Sequence, residues 1–361
     1  MRAAFPVKPY AARLSQMLQD AVQKGASDVH LRSGQPPCYR VDGKLVESGF
    51  PVAEPAAARW LIYRLLDESR RAAFDQGEEQ DLAAEKPGLG RFRVNVFQDL
   101  EGPGMVIRIL EGRIRTLQEL QCPSVLERFC KSTRGLILVT GPTGCGKSTT
   151  VAAMLDYINE HREGHIVTIE DPVEFVHKSK KCRFTQREVG SNTKSFGSAL
   201  RAALRQDPDV IMVGEMRDLE TMELAMTAAE TGHLVLSTLH TQTAPKTLDR
   251  ILGAFPANRA DQVRTMLAES LLAVVCQVLL PKARGAGRVA AHEVMFRVPA
   301  IANLIREGKI FQIPNAMLAS LNQGMRLLDE NLANLVKSGE VAFDDAMAVA
   351  VDPEALRHRS L

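Results

Sequence analysis

Residues Gly141 to Thr149 read Gly-Pro-Thr-Gly-Cys-Gly-Lys-Ser-Thr, an order of residue types that makes a cradle for a polyanion. Gly141, Gly144 and Gly146 let backbone N–H groups converge on phosphate oxygens where a side chain would clash. Lys147 brings a positive charge to the terminal phosphates, and Ser148 a hydroxyl suited to Mg2+. Pro142, Thr143, Cys145 and Thr149 fill the variable positions, and a helix starting near Lys147 adds the positive end of its dipole. The chemistry implied is binding and cleavage of a nucleoside triphosphate, with ATP and Mg2+ as ligands.

Cleavage needs acids near that loop, and the chain has them. Asp207-Pro-Asp-Val-Ile-Met-Val-Gly-Glu215 is an apolar strand ending in a carboxylate, the arrangement that holds Mg2+ or its water shell. Thr168-Ile-Glu-Asp-Pro-Val-Glu174 places Glu170, Asp171 and Glu174 at another strand's C-terminal end, where ligands of open α/β sheets sit. A carboxylate there can orient the attacking water and take its proton. Chemistry alone does not rank Glu170 against Glu174, and Asp171-Pro172 also reads as a cap and turn. His233 and His240 flank a further strand and suit sensing of the γ-phosphate by hydrogen bonds, or a purely structural role. Arg91, Arg93, Arg108, Arg113 and Arg115 gather well before the loop; arginine stabilises a transferring phosphate when a neighbour supplies it.

The elements that must carry these residues alternate as strand and helix from Leu117 onward, the sign of a parallel sheet. Gly135-Leu-Ile-Leu-Val-Thr feeds the glycine loop, and Ser148–Tyr157 continues it as a helix. Ile166–Ile169, Val210–Val213 and His233–His240 are further strands, with an amphipathic helix over Ser195–Arg205 and another from Asp218 to Gly232. From Val263 to the end the pattern reads as mostly helical, with Val263–Leu280 apolar almost all round. Upstream, roughly Ala12–Leu110 reads as a small α+β domain. A helix bearing Leu14, Met17, Leu18 and Val22 closes at Gly25. A strand follows at Asp28–Arg32, then a hairpin turning at Asp42-Gly43, a helix near Ala57–Leu66, and strands at Gly90–Phe97 and Met105–Leu110. Polar, basic Glu111–Thr116 is the candidate linker.

The 361 residues carry a net charge of +2, with 45 basic and 43 acidic residues spread along the chain. That balance argues against a nucleic-acid translocase, which shows a basic stripe. Six separated cysteines form neither zinc pairs nor a disulfide framework and read as reduced thiols; Cys145 reads as a loop filler or an oxidation-sensitive thiol. The N-terminus lacks a signal peptide's apolar run. The longest apolar stretch, Leu271–Leu280, broken by Gln277, falls short of the about 20 residues of a spanning helix.

The glycine loop, Ile-Glu-Asp-Pro-Val-Glu-Phe, Val-Gly-Glu-Met-Arg-Asp and Thr-Gly-His-Leu-Val-Leu-Ser-Thr-Leu-His, in that order, resemble the type II/type IV secretion ATPase superfamily. More narrowly, the chain is similar to its PilT-like branch, the retraction ATPases of type IV pili. Gly25-Ala-Ser-Asp-Val-His-Leu, Arg91-Phe-Arg-Val-Asn, Thr185-Gln-Arg-Glu-Val, Ala291-His-Glu-Val-Met and Asn303-Leu-Ile-Arg-Glu extend the likeness along the chain. The resemblance implies an α/β fold with a PAS-like α+β domain over residues 1–112, a linker at 113–118, and a RecA-like ATPase domain with a helical C-terminal part over 119–361. It implies a homohexamer with ATP at the subunit junctions, hydrolysing it to ADP and phosphate to power pilin disassembly and twitching motility. Glu170, Asp171 and Glu174 would serve catalysis, Glu174 first as general base. Glu215 would be the acid beside Mg2+, with Ser148 and Asp171, and His233 and His240 would line the site. Arg91, Arg93 and Arg108 would reach the nucleotide. The expected location is cytoplasmic, peripheral at the inner-membrane base of the pilus, against a platform protein and a paralogous retraction ATPase, with no direct nucleic-acid contact.

Two departures stand out. The matching family segment carries an arginine, tied to retraction, at Ala302, and Gln312–Leu361 matches less closely. An accessory, PilU-like retraction ATPase is therefore the first alternative. An assembly or secretion ATPase is the second, set back because its extra N-terminal domain and four-cysteine insertion are absent.

Overall fold

The computed structural model describes residues 7–41, 43–110, 112–285 and 287–360; Asp42 and Glu111, from the expected turn and linker, lie outside them. The chain splits after Arg113 into two compact units.

In the first unit, helix α1 (Val7–Gln23) precedes strands β1 (Asp28–Arg32), β2 (Cys38–Val41) and β3 (Lys44–Glu47). Helices α2 (Pro55–Tyr63) and α3 (Glu68–Asp75) and strands β4 (Gln80–Lys86), β5 (Gly90–Asp99) and β6 (Gly102–Leu110) follow. The six strands form one sheet in the order β3-β2-β1-β6-β5-β4, antiparallel throughout. Alternation along β5 turns Phe92, Val94 and Val96 into the core and Arg91, Arg93 and Asn95 to the other face. The buried face packs with Met17, Leu18 and Ala21 of α1 and Leu61 and Ile62 of α2. The Tyr39 hydroxyl donates to the Met17 carbonyl at 3.0 Å and ties α1 to the sheet.

The second unit begins with α4 (Val125–Cys130), then β7 (Gly135–Thr140), α5 (Lys147–His161), β8 (Gly164–Glu170) and β9 (Cys182–Glu188). Helix α6 (Phe196–Ala203), β10 (Val210–Val213), α7 (Leu219–Glu230), β11 (Leu234–Leu239), α8 (Ala244–Leu252) and α9 (Ala260–Ser270) continue it. Strands β12 (Leu271–Pro281) and β13 (Arg288–Phe296) complete a seven-stranded sheet of order β13-β12-β7-β11-β10-β8-β9. All its pairs are parallel except β12 with β13. Every residue of β7, β10 and β11 is buried, because helices cover both faces; such strands read as unbroken apolar runs.

Beyond Val263 the structure corrects the sequence reading. Only Ala260–Ser270 is helical before Leu271–Pro281 enters the sheet beside β7. A run apolar on every side has neither a helical nor a strand period. Its β-branched Val274, Val275 and Val278 and its burial on both faces favour the strand. Helices α10 (Pro299–Arg306), α11 (Ile313–Leu318), α12 (Leu328–Lys337), α13 (Phe343–Met347) and α14 (Pro353–Ser360) do close the chain.

Candidate nucleotide site

The phosphate loop leaves the C-terminal end of β7 and enters α5, whose N-cap is Gly146 at φ +89°. Gly141, at φ +142°, lies so close to β12 that a Cβ there would overlap the Gln277 carbonyl oxygen. Only glycine allows the loop this approach. Lys147 is 9% exposed, and its ammonium donates to the Gly141 and Pro142 carbonyls at 2.9 and 3.0 Å. A lysine ammonium has three donors, so one remains for a phosphate. Ser148 and Thr149 stand half-buried in the first turn of α5. Cys145 is 2% exposed, and burial pushes its thiol above the ordinary value. The reactive thiolate is thereby disfavoured, which argues for the loop-filler reading.

Two neighbouring strand ends bring acids to the same edge. At the end of β10, the Glu215 carboxylate accepts from Arg217 Nε at 2.8 Å and lies 3.3 Å from His240 Nε2. Glu215 raises the Arg217 guanidinium above its usual value, with a smaller contribution from Asp171. The Thr238 hydroxyl donates to the Gly214 carbonyl at 2.6 Å, fixing the turn that carries Glu215 to β11. At the end of β8, Glu170 accepts from the Thr168 hydroxyl at 2.6 Å and the Gln186 amide at 3.1 Å. Burial raises the Glu170 carboxyl above its ordinary value against those donors. Asp171 is exposed and Glu174 half-buried. Strand β9 pins this acidic segment, since Glu188 accepts from the Val173 N–H at 3.1 Å and Gln186 from the His177 N–H at 2.8 Å.

The loop, Glu170, Asp171, Glu174, Glu215 and His240 therefore share one sheet edge. His233 does not join them. It precedes β11, where its N–H and ring Nδ1 each lie 3.0 Å from the Ala228 carbonyl. The six residues of β11 lie between the histidines, and seven steps of about 3.3 Å separate them by about 23 Å. The pairing of both histidines at one site is not met within the chain, because opposite ends of an extended strand cannot reach one phosphate.

Arg91, Arg93 and Arg108 lie on the sheet of the first unit. Arg93 stands across from Arg108 in the β5–β6 register. Arg108 donates to Asp28 at 2.8 Å, Arg93 lies 3.8 Å from Asp81, and Arg91 Nε is buried with no hydrogen-bond partner among the described residues.

Residues outside the sequence reading complete the site. Arg217 holds Glu215, and Gln186 holds Glu170. A cavity of about 420 Å³ opens at Pro142–Cys145, walled in part by Lys246, Arg288, Leu328 and Val351. Gln277 showed only as the polar residue breaking an apolar run, a signal that a buried amide there needs partners.

The profile of the type II/IV secretion system protein family matches residues 6–332. The chain belongs to that family. It is 50% identical over 341 residues to the type IV pilus retraction ATPase PilT of Pseudomonas aeruginosa, covering 94% of this chain and 99% of the relative. It is 47% identical over 320 residues to a twitching motility protein of Neisseria gonorrhoeae, covering 89% and 86%. The crystal structure of the pilus retraction motor PilT with bound ADP superposes with a TM-score of 0.88 at 45% identity, covering 95% of this chain and 98% of that one. The α/β architecture described above is therefore that of a secretion-family ATPase.

Proposed function

We propose that this chain is an ATP-hydrolysing motor that powers retraction of type IV pili. The observation that carries the reading is the shared sheet edge: a complete phosphate loop, the Glu215–His240 pair and the Glu170–Glu174 segment in one unit. Near-full-length likeness to PilT supports the biological direction. In this reading loop N–H groups and Lys147 hold the β- and γ-phosphates. Glu174 orients the attacking water and takes its proton; no hydrogen bond engages its carboxylate among the described residues, whereas that of Glu170 is held by Thr168 and Gln186. His240 and Arg217 keep Glu215 in place.

Mg2+ fits the donors at this edge. The oxygens of Ser148, Glu215 and Asp171 suit a hard cation that keeps its waters and binds chiefly through phosphates. Among the described residues no three His, Cys, Asp or Glu side chains form a metal cage. When bound, Mg2+ neutralises charge on the β- and γ-phosphates.

We further propose the domain assignment of 1–112 as PAS-like, 113–118 as linker and 119–361 as RecA-like. Function is as a homohexamer on the cytoplasmic side of the inner membrane, docked on the pilus platform protein and working with a paralogous retraction ATPase. No described helix is long and apolar enough to cross a membrane. Arg91, Arg93 and Arg108 are proposed to reach nucleotide in that ring. Two experiments test the proposal. Lys147→Ala should abolish ATP turnover with the fold intact, and normal rates would remove the site. Deleting the gene should leave abundant, non-retracting pili; loss of pili would point to assembly instead.

A further inference from the structure

Gln277 is 2% exposed and lies on β12 one residue beyond Cys276, which pairs with Thr140 where β7 gives way to the phosphate loop. Both ends of its carboxamide are committed. Nε2 donates to the Cys145 carbonyl at 2.6 Å, and Oε1 accepts from the Thr150 hydroxyl at 2.8 Å. One amide therefore spans the loop and the helix that follows it. Gly146 also packs on this amide, a Cβ there falling 3.2 Å from Nε2.

The Cys145 carbonyl shares its peptide plane with the Gly146 N–H, and in a trans peptide the two point in opposite directions. Pinning the carbonyl down onto β12 turns the N–H up, away from the strand. The Cys145 carbonyl can only accept, so the amide's Nε2 faces it, and the Thr150 hydroxyl on α5 donates to the Oε1 end and holds the amide there.

We propose that Gln277 is a positioning residue of the phosphate loop, whose carboxamide aims the Gly146 N–H at bound phosphate. The inference rests on the phosphate-loop reading. Packing alone predicts that any side chain of similar volume serves at this position. Positioning predicts that only a donor toward Cys145 serves.

ADP titration of the full-length chain by calorimetry at pH 8, with melting temperatures for each variant, decides between them. Gln277→Met should raise the Kd for ADP about 10-fold, or about 1.4 kcal/mol, while staying folded at the titration temperature, although its melting temperature falls because the Cys145 carbonyl and the Thr150 hydroxyl lose their partner. Gln277→Glu should lose at least as much, since a carboxylate accepts from Thr150 but repels the Cys145 carbonyl. Thr150→Val should lose part, and Gln277→Met with Thr150→Val should be no worse than Gln277→Met alone, both acting through one amide. Should Gln277→Met not fold, Gln277→Glu and Thr150→Val carry the test. ADP affinity within about two-fold of the parent in the folded Gln277 variants, or additive losses in the double variant, overturns the inference. Lys147→Ala separates the failures: if it too binds ADP like the parent, the phosphate-loop reading falls with the inference.

Discussion

Glu293 yields a stability prediction with a defined pH window. It sits on β13 opposite Cys276, 3% exposed, and accepts from the Ala244 N–H at 2.6 Å and the Leu328 N–H at 3.4 Å. Burial raises its carboxyl from the ordinary 4.5 to about 7, outweighing both donors, with Asp329 adding to the rise. Between those values the folded protein holds a proton that the unfolded chain releases. The stabilisation is therefore complete below about 4.5 and is lost as pH rises through about 7. At about 1.4 kcal/mol per pH unit the loss is about 3 kcal/mol. Glutamine cannot titrate, and it accepts only one of the two N–H groups, which adds a pH-independent penalty of about 1–3 kcal/mol. His177 and His292, both lowered to about 4 by burial, change stability in the opposite sense, but cancel in the difference between parent and variant. Urea unfolding from pH 4.5 to 8 measures that difference. Far-UV circular dichroism is the probe, because Trp60 belongs to the first unit. The parent's advantage over Glu293→Gln should shrink by about 3 kcal/mol across the range. An advantage constant with pH refutes the reasoning.

Three further expectations follow from the site. Gly141→Ala should cost about 3 kcal/mol or more through overlap with β12. Gly144→Ala, at φ +79° with nothing near its Cβ, should cost only about 1–2 kcal/mol; equal melting shifts would contradict the packing account. Glu174→Gln should retain ATP binding while turnover falls about 100-fold or more; if Glu170→Gln is the inactive variant instead, the choice of base is wrong. His240→Ala should lower kcat about 10-fold or more, whereas His233→Ala should mainly lower the melting temperature; the reverse pattern would undo the placement of the two histidines.

The strand, glycine loop and helix were legible because the positive φ of Gly141, Gly144 and Gly146 and the close approach of Gly141 to β12 demand glycine, and that spacing is written in the chain. Glu170 and Glu215 were legible for a related reason: short apolar strands ending in acids announce the carboxyl edge of a parallel sheet. The strand at Leu271–Pro281 was not, because a segment buried on all sides loses the periodicity that tells strand from helix. The separation of His233 from His240 was not legible, because closeness to a motif in sequence says nothing about which end of a strand a residue occupies. The partnerships of Gln186 with Glu170 and of Gln277 with Cys145 join residues far apart in the chain, so only the assembled sheet displays them.

The place of β12 in the sheet has a consequence for how the protein is made. Strand β7 is flanked by β11 and β12, and the amide that fixes its loop lies 132 residues downstream of Cys145. At about 5–20 residues per second, a ribosome needs roughly 7 to 26 seconds to bridge that gap. For most of that interval both edges of β7 wait unpaired, since β11 also lies downstream, with the loop's glycines free to wander. The nascent chain therefore matures its phosphate loop late, only after Pro281 has left the exit tunnel. A pause or truncation before that point leaves a strand edge that chaperones must shield.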